Sequence, residues 1–196
     1  MKAFRRNLYG ILRYAPTDVM ETLRPVFYRW IGVRIGEGVQ IKVGAIIDVW
    51  REGVPGGIGH KVSIGENTMI SGGVAIGSNT WINANVSIVA SPPSTILIGE
   101  NCLIAQNVVI RSDDHRYDDP TRPIREQGRI GADIRIEDDC WIGANAVLLK
   151  GVHLGAHSIV GAGAIVTKSF PSYSIVVGNP ARLLKSRAPA PGHLPS

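Results

Sequence analysis

Aliphatic residues recur along this chain with a period of six. Fourteen positions hold the register: Ile64, Ile70, Ile76, Ile82, Ile88, Ile98, Ile104, Ile110, Ile136, Ile142, Leu148, Leu154, Val160 and Val166. Four positions after a start, wherever the hexad is intact, stands a small or β-branched residue. That series reads Thr68, Val74, Thr80, Val86, Cys102, Val108, Cys140, Ala146, Val152, Ser158 and Ala164. A helix repeats near 3.6 and a half-buried strand at 2, so a period of six fits neither. It fits an all-β solenoid whose coil has three short flat faces, each one hexad long. The aliphatic side chain points inward, the small one fills the corner, and Gly or Asn makes the turn. Glycine supplies 23 of 196 residues, well above its ordinary share of about 7%, as a turn at every sixth residue requires.

The pattern divides the chain into four parts. Residues 1–31 read as a helical cap, with Leu8, Ile11, Leu12, Leu23, Val26, Phe27 and Trp30 on apolar faces. Pro16 and Pro25 limit the length of its helices. Residues 32–170 form the solenoid. Its coils are irregular from Ile35 to His60 and regular from about Ile58, with Ala90–Thr95 adding four residues to one hexad. A polar, charged, proline-bearing break covers residues 113–135 and is expected to project as a loop. Either Ile130 or Ile136 restarts the period. The repeat is expected to end near Phe170-Pro171. A basic segment, residues 171–187, follows, and residues 188–196 read as a frayed tail.

Charge sharpens this picture. The net charge is +5, and residues 1–34 alone carry seven basic side chains against two acidic ones. After Asp139 there is no Asp or Glu, while Lys150, Lys168, Arg182, Lys185 and Arg187 remain. A basic C-terminal half suits a phosphorylated, polyanionic ligand. Nucleic acid fits poorly, because no aromatic-interleaved basic patch or recognition motif is present. No apolar run reaches membrane-spanning length, and no leader-like apolar segment follows the charged start, so a cytoplasmic location is expected. Cys102 and Cys140 occupy inward slots and read as buried thiols rather than a disulfide or a nucleophile.

Insertions in a solenoid mark its functional face, because the coils are committed to packing. The long break holds one histidine, His115, the residue type suited to taking a proton near neutral pH. The plain alternative is a solvent-exposed loop histidine. His153 and His157 occupy outward slots, His60 follows a turn, and His193 is in the tail.

Three stretches resemble a known family. They are Ile98–Ile110 with Ser112-Asp-Asp-His-Arg-Tyr-Asp-Asp-Pro120; Trp141-Ile-Gly-Ala-Asn-Ala-Val-Leu-Leu-Lys-Gly-Val152; and Val160-Gly-Ala-Gly-Ala-Ile-Val-Thr-Lys168 with Val177-Gly-Asn-Pro-Ala-Arg182. Together they resemble the hexapeptide-repeat acyltransferases, which fold as left-handed parallel β-helices. The nearest branch is the bacterial sugar and polysaccharide O-acetyltransferases. The resemblance spans roughly residues 32–187. It implies acetyl-coenzyme A as co-substrate, no metal, and direct transfer to a sugar hydroxyl with His115 as general base. Asp113 or Asp114 would orient the imidazole, unless a backbone carbonyl does so. On the cofactor side it implies Trp141, Ala144, Gly161, Ala162, Gly163, Thr167, Lys168, Arg182 and Lys185. On the acceptor side it implies Asn83, Asn85, Asp114 and Tyr117; an asparagine turn is the plain reading of Asn85. It also implies a homotrimer with active sites between subunits, working in surface polysaccharide or lipopolysaccharide synthesis. The alternatives are an N-acetyltransferase of an amino-sugar nucleotide and a non-catalytic binding solenoid. The basic, aromatic N-terminal helices cap the solenoid, and weak peripheral contact with the inner face of an anionic membrane is a second role open to them.

Overall fold

The computed structural model describes residues 13–15, 18–49 and 56–189. Leu8, Ile11, Leu12, His193 and most of the tail lie outside them. Short strands stack into three parallel sheets. One face holds Gln40–Ile41, Ser63–Ile64, Trp81–Ile82, Leu103–Ile104, Trp141–Ile142, Ile159–Val160 and Ser174–Val177. The second holds Ile46–Asp48, Met69–Gly72, Ser87–Ala90, Val109–Arg111, Val147–Leu148 and Ile165–Val166. The third holds Gly57–Ile58, Val74–Ile76, Ile96–Ile98, Ile134–Ile136 and His153–Leu154. This is the three-faced β-helix expected from the hexads.

Register explains why the repeat works. Ile64 pairs with Ile82, Ile82 with Ile104, Ile104 with Ile142, and Ile142 with Val160. Aliphatic side chains therefore stack in columns, and each coil offers the next the same surface. All fourteen hexad starts are at most 4% exposed, and all eleven corner residues at most 1%. Burial of this kind contributes roughly 25 cal/mol per Å² of apolar surface. The corners turn through left-handed residues, including Asn67, Asn85, Asn107 and Asn145. Asparagine tolerates that conformation better than most side chains. Cys102 and Cys140 are buried free thiols on successive coils. Contact with the Cys102 thiol, together with burial, pushes the Cys140 thiol up.

One expectation changes and one open alternative is decided. Phe170 does not end the repeat: it bridges Leu154, and Ser174–Val177 adds one more strand to the first face. Phe170, Ser174, Val176 and Ala181 continue the core at irregular spacing, which is why the hexad pattern loses them. The period restarts at Ile136, while Ile130 is exposed on the projecting loop.

The helix Asp18–Trp30 covers the open end of the first coil. That end presents backbone carbonyls and amides, and groups of the cap meet both: the Tyr28 hydroxyl accepts the Ile47 N–H at 3.3 Å, and Arg13 O accepts the Gly44 N–H at 2.8 Å. Arg24 donates to Ile41 O at 2.9 Å, Tyr28 to Ala45 O at 3.2 Å, and Arg13 to Gly44 O at 3.0 Å. Phe27 and Tyr28 complete the cap with apolar burial.

Candidate active site

The polar break leaves the corner between the second and third faces. It forms a small antiparallel hairpin, Asp113–His115 against Arg129–Gly131, with a single 3-10 turn at Ile124–Glu126. His115 stands opposite Arg129 and is exposed. Two carboxylates fasten the hairpin through three ion pairs. The Asp113 side chain, 2% exposed, lies against Arg129 and 3.4 Å from Arg111. Asp114 meets Lys150, which follows the second-face strand one coil further on. The carboxylates expected to orient the imidazole are therefore engaged by cations. They position the strand that carries His115, not its ring.

The other described histidines are occupied. His60 Nδ1 accepts the Glu37 N–H at 3.2 Å, His153 Nε2 lies 2.9 Å from Glu137, and His157 Nδ1 lies 2.9 Å from Asp139. The His153 contact, with the Ala156 N–H, holds the Glu137 carboxyl below the usual range. Among the described histidines, His115 alone has a ring without a hydrogen bond. An exposed imidazole with both nitrogens open is placed to take a proton from an incoming ligand.

The residues expected on the cofactor side flank the second-face strands of the last coils. Gly161 and Gly163 spend their N–H groups on Val176 O and Ala144 O, at 2.8 Å each. The amides of Ala144 and Ala162 meet no acceptor among the described residues. They sit at the same corner of successive coils, roughly 4.8 Å apart as stacked strands are. The open donors are thus on the alanines, a distinction that the Gly-Ala-Gly run conceals. Gly163 faces open space, whereas a side chain on Gly161 would strike Val177.

Across the strand from that corner, Thr167 and Lys168 are exposed, with the Lys168 ammonium 5.7 Å from the Phe170 ring. The basic segment folds back beside them. Buried Ala181 donates to Ile165 O at 2.8 Å, and Gly178 O accepts the Ile165 N–H at 3.0 Å. This stitching sets Arg182 at the start of an exposed strand, Arg182–Ser186, which also carries Lys185. The arrangement offers two backbone donors to an extended chain and three cations to phosphates.

The remaining candidates are more dispersed. Trp141 is half exposed on the first face, in register with Leu103 and then Trp81. Asn83 and Asn85 are exposed at the corner that follows Trp81. Asn83 caps its own turn weakly, and Asn85 has φ 59°, so its backbone performs the turn. Tyr117 is exposed on the projecting loop, as are Ile124 and Ile130.

The described chain is thus a stack of hexapeptide coils with one histidine on its projecting loop and a basic C-terminal fold-back. A family model described as the hexapeptide repeat of succinyl-transferase matches residues 55–90 and 133–168. The chain is 42% identical over 92 residues to a probable acetyltransferase of Mycobacterium tuberculosis, covering 47% of this chain and 31% of that protein. It is 36% identical over 92 residues to the galactoside O-acetyltransferase of Escherichia coli, covering 46% and 44%. The chain thus spans less than half the length of these relatives. A hexapeptide-repeat acetyltransferase of Vibrio cholerae, solved in complex with acetyl-coenzyme A, superposes with a TM-score of 0.68. That match covers 95% of this chain and 87% of the other at 27% identity. The chain is thus similar, in its repeats and its fold, to hexapeptide-repeat acetyltransferases.

Proposed function

We propose that this protein transfers an acetyl group from acetyl-coenzyme A to a sugar hydroxyl, in the building of a surface glycan. The observation that carries the reading is the open His115 imidazole, on a hairpin that Asp113 and Asp114 fasten through ion pairs beside the donor-lined coils. In this scheme the pantetheine arm runs along the corner of Ala144 and Ala162. Lys168, Arg182 and Lys185 meet the nucleotide phosphates, and Thr167 lies beside them. His115 takes the hydroxyl proton as that oxygen attacks the thioester carbonyl. The tetrahedral intermediate then collapses, expelling the coenzyme A thiolate, which takes up a proton. General-base catalysis supplies roughly 10²–10⁴-fold, and alignment of the two reactants supplies much of the rest.

One chain leaves His115 without an opposing wall. The exposed Trp141 and the exposed apolar loop residues Tyr117, Ile124 and Ile130 fit a homotrimer in which each site is completed by a neighbour. Asn83, Asn85, Asp114 and Tyr117 are the acceptor-side contacts of this reading.

The test is a panel of nucleotide sugars and oligosaccharides incubated with acetyl-coenzyme A and read by mass. The expected product gains one acetyl group as an alkali-labile ester. An alkali-stable amide would move the reading to an amino sugar, and failure to bind coenzyme A would end it.

A second measurement isolates the phosphate contacts. Lys168→Ala and Arg182→Ala are expected to weaken coenzyme A binding roughly tenfold each, the scale of one charge-assisted contact. A short acyl thioester without the nucleotide should lose almost nothing. Equal loss for both donors would make these residues structural.

A further inference from the structure

The cap helix Asp18–Trp30 has two apolar sides, and the solenoid uses one. Arg24, Phe27 and Tyr28 face the first coil. Val19, Leu23, Val26 and Trp30 follow at i, i+4, i+7 and i+11, which places them in one line along the helix. They are 62%, 43%, 54% and 57% exposed. The line is roughly 16 Å long at 1.5 Å per residue. Tyr14, just before the helix, is 60% exposed as well. An end cap requires burial on one side only, so the second apolar line needs a separate explanation.

Charge indicates what meets it. The first 34 residues carry Lys2, Arg5, Arg6, Arg13, Arg24, Arg29 and Arg34 against Asp18 and Glu21. Arg29 and Arg34 are exposed at this end. An apolar line with a tryptophan at its end, beside exposed Arg29 and Arg34 in a segment of net positive charge, is the composition of a helix lying in a bilayer interface. Anionic lipid attracts such a surface, and an ordinary apolar protein patch would not call for the positive field. At 13 residues the helix is too short to cross a bilayer, so the contact is peripheral.

We propose that the outer side of this helix docks on an anionic membrane surface, with the cap end of the solenoid toward the lipid. This rests on the N-terminal segment alone and stands whether or not the acyl-transfer reading holds.

The test uses the full chain and vesicles, with no activity readout. Vesicles of equimolar phosphatidylcholine and phosphatidylglycerol should pull the protein down at low salt, and pure phosphatidylcholine vesicles should retain at least about tenfold less. Leu23→Ser with Val26→Ser should lower binding to the anionic vesicles by at least about tenfold. Both side chains are exposed, so circular dichroism and the thermal midpoint should match the parent. Leu184→Ser, at the opposite end, should bind as the parent does. Equal binding to neutral vesicles, or parental binding by the double variant, would overturn the proposal. So would a fall in oligomer mass of the double variant by light scattering, because the line would then be an interface between copies.

Discussion

His115→Ala is expected to lower turnover at least ~100-fold while the thermal midpoint hardly moves. The two halves of this result have separate causes. The imidazole is exposed and makes no hydrogen bond, so its loss removes no packing and leaves no partner unsatisfied. The hairpin that carries it is held by Asp113 and Asp114, which the substitution does not touch. The acetyl-coenzyme A dissociation constant should also stay within about twofold, because the lost interaction belongs to the transition state. Steady-state turnover, donor titration and a thermal melt check the three parts. Near-parental turnover would end the general-base assignment. A collapsed melt would mean that the residue is structural.

Gly72→Val has the largest expected effect on stability. Gly72 ends the strand Met69–Gly72 and pairs with Ala90 on the next coil. Its φ is +86°, which a β-branched residue adopts only under strain. A Cβ there would also fall within the van der Waals radius of the Ala90 carbonyl oxygen, part of the backbone ladder. Strain and overpacking each cost about 1–3 kcal/mol, so the sum is on the order of 4 kcal/mol. In a chain of this size that lowers the midpoint by roughly 8–16 °C. Gly163→Ala is the matched comparison. Its φ is +70°, but no atom lies within 4 Å of the added carbon. It should cost only about 1–2 kcal/mol. Similar melts for the two variants would show that close stacking of the coils is not what requires Gly72.

The solenoid was legible in the sequence because its contacts repeat. Ile64, Ile82, Ile104 and Ile142 meet the same surroundings on successive coils, so one rule predicts them all. Where the surroundings stop repeating, the rule fails. The last coil fills its core with Phe170, Ser174 and Val176 at uneven spacing. The 113–135 break contains a hairpin that no alternation announces, because its strands are polar and nearly all of its side chains face solvent. His115 could be singled out by type and by its place in the break. Its supports could not, because Asp114 and Lys150 are 36 residues apart and meet only when coils stack. The open amides of Ala144 and Ala162 carry no signal in residue identity. They follow from which turn positions the neighbouring coil leaves unpaired.

The ladder also leaves two edges. Gln40 N–H donates forward to Val62 O, Ser63 to Thr80 O and Trp81 to Cys102 O, while Asn67 N–H donates back to Val43 O, Asn85 to Glu66 O and Asn145 to Gln106 O. A bare stack would therefore end at both sides in a parallel edge carrying donors and acceptors, and those two ends fit each other. Head-to-tail addition of that kind never closes, so it produces filaments. The guanidinium groups of Arg13 and Arg24 and the Tyr28 hydroxyl bond backbone groups of the first coil's open edge. At the far end the first face is closed by the antiparallel Arg182–Ser186 strand, whose register shifts beside Ile175 and which carries Arg182 and Lys185. A shifted register and edge cations both discourage further pairing. The two end segments, one of which also borders the candidate site, thus set the length of the rod and keep one molecule from seeding a fibre.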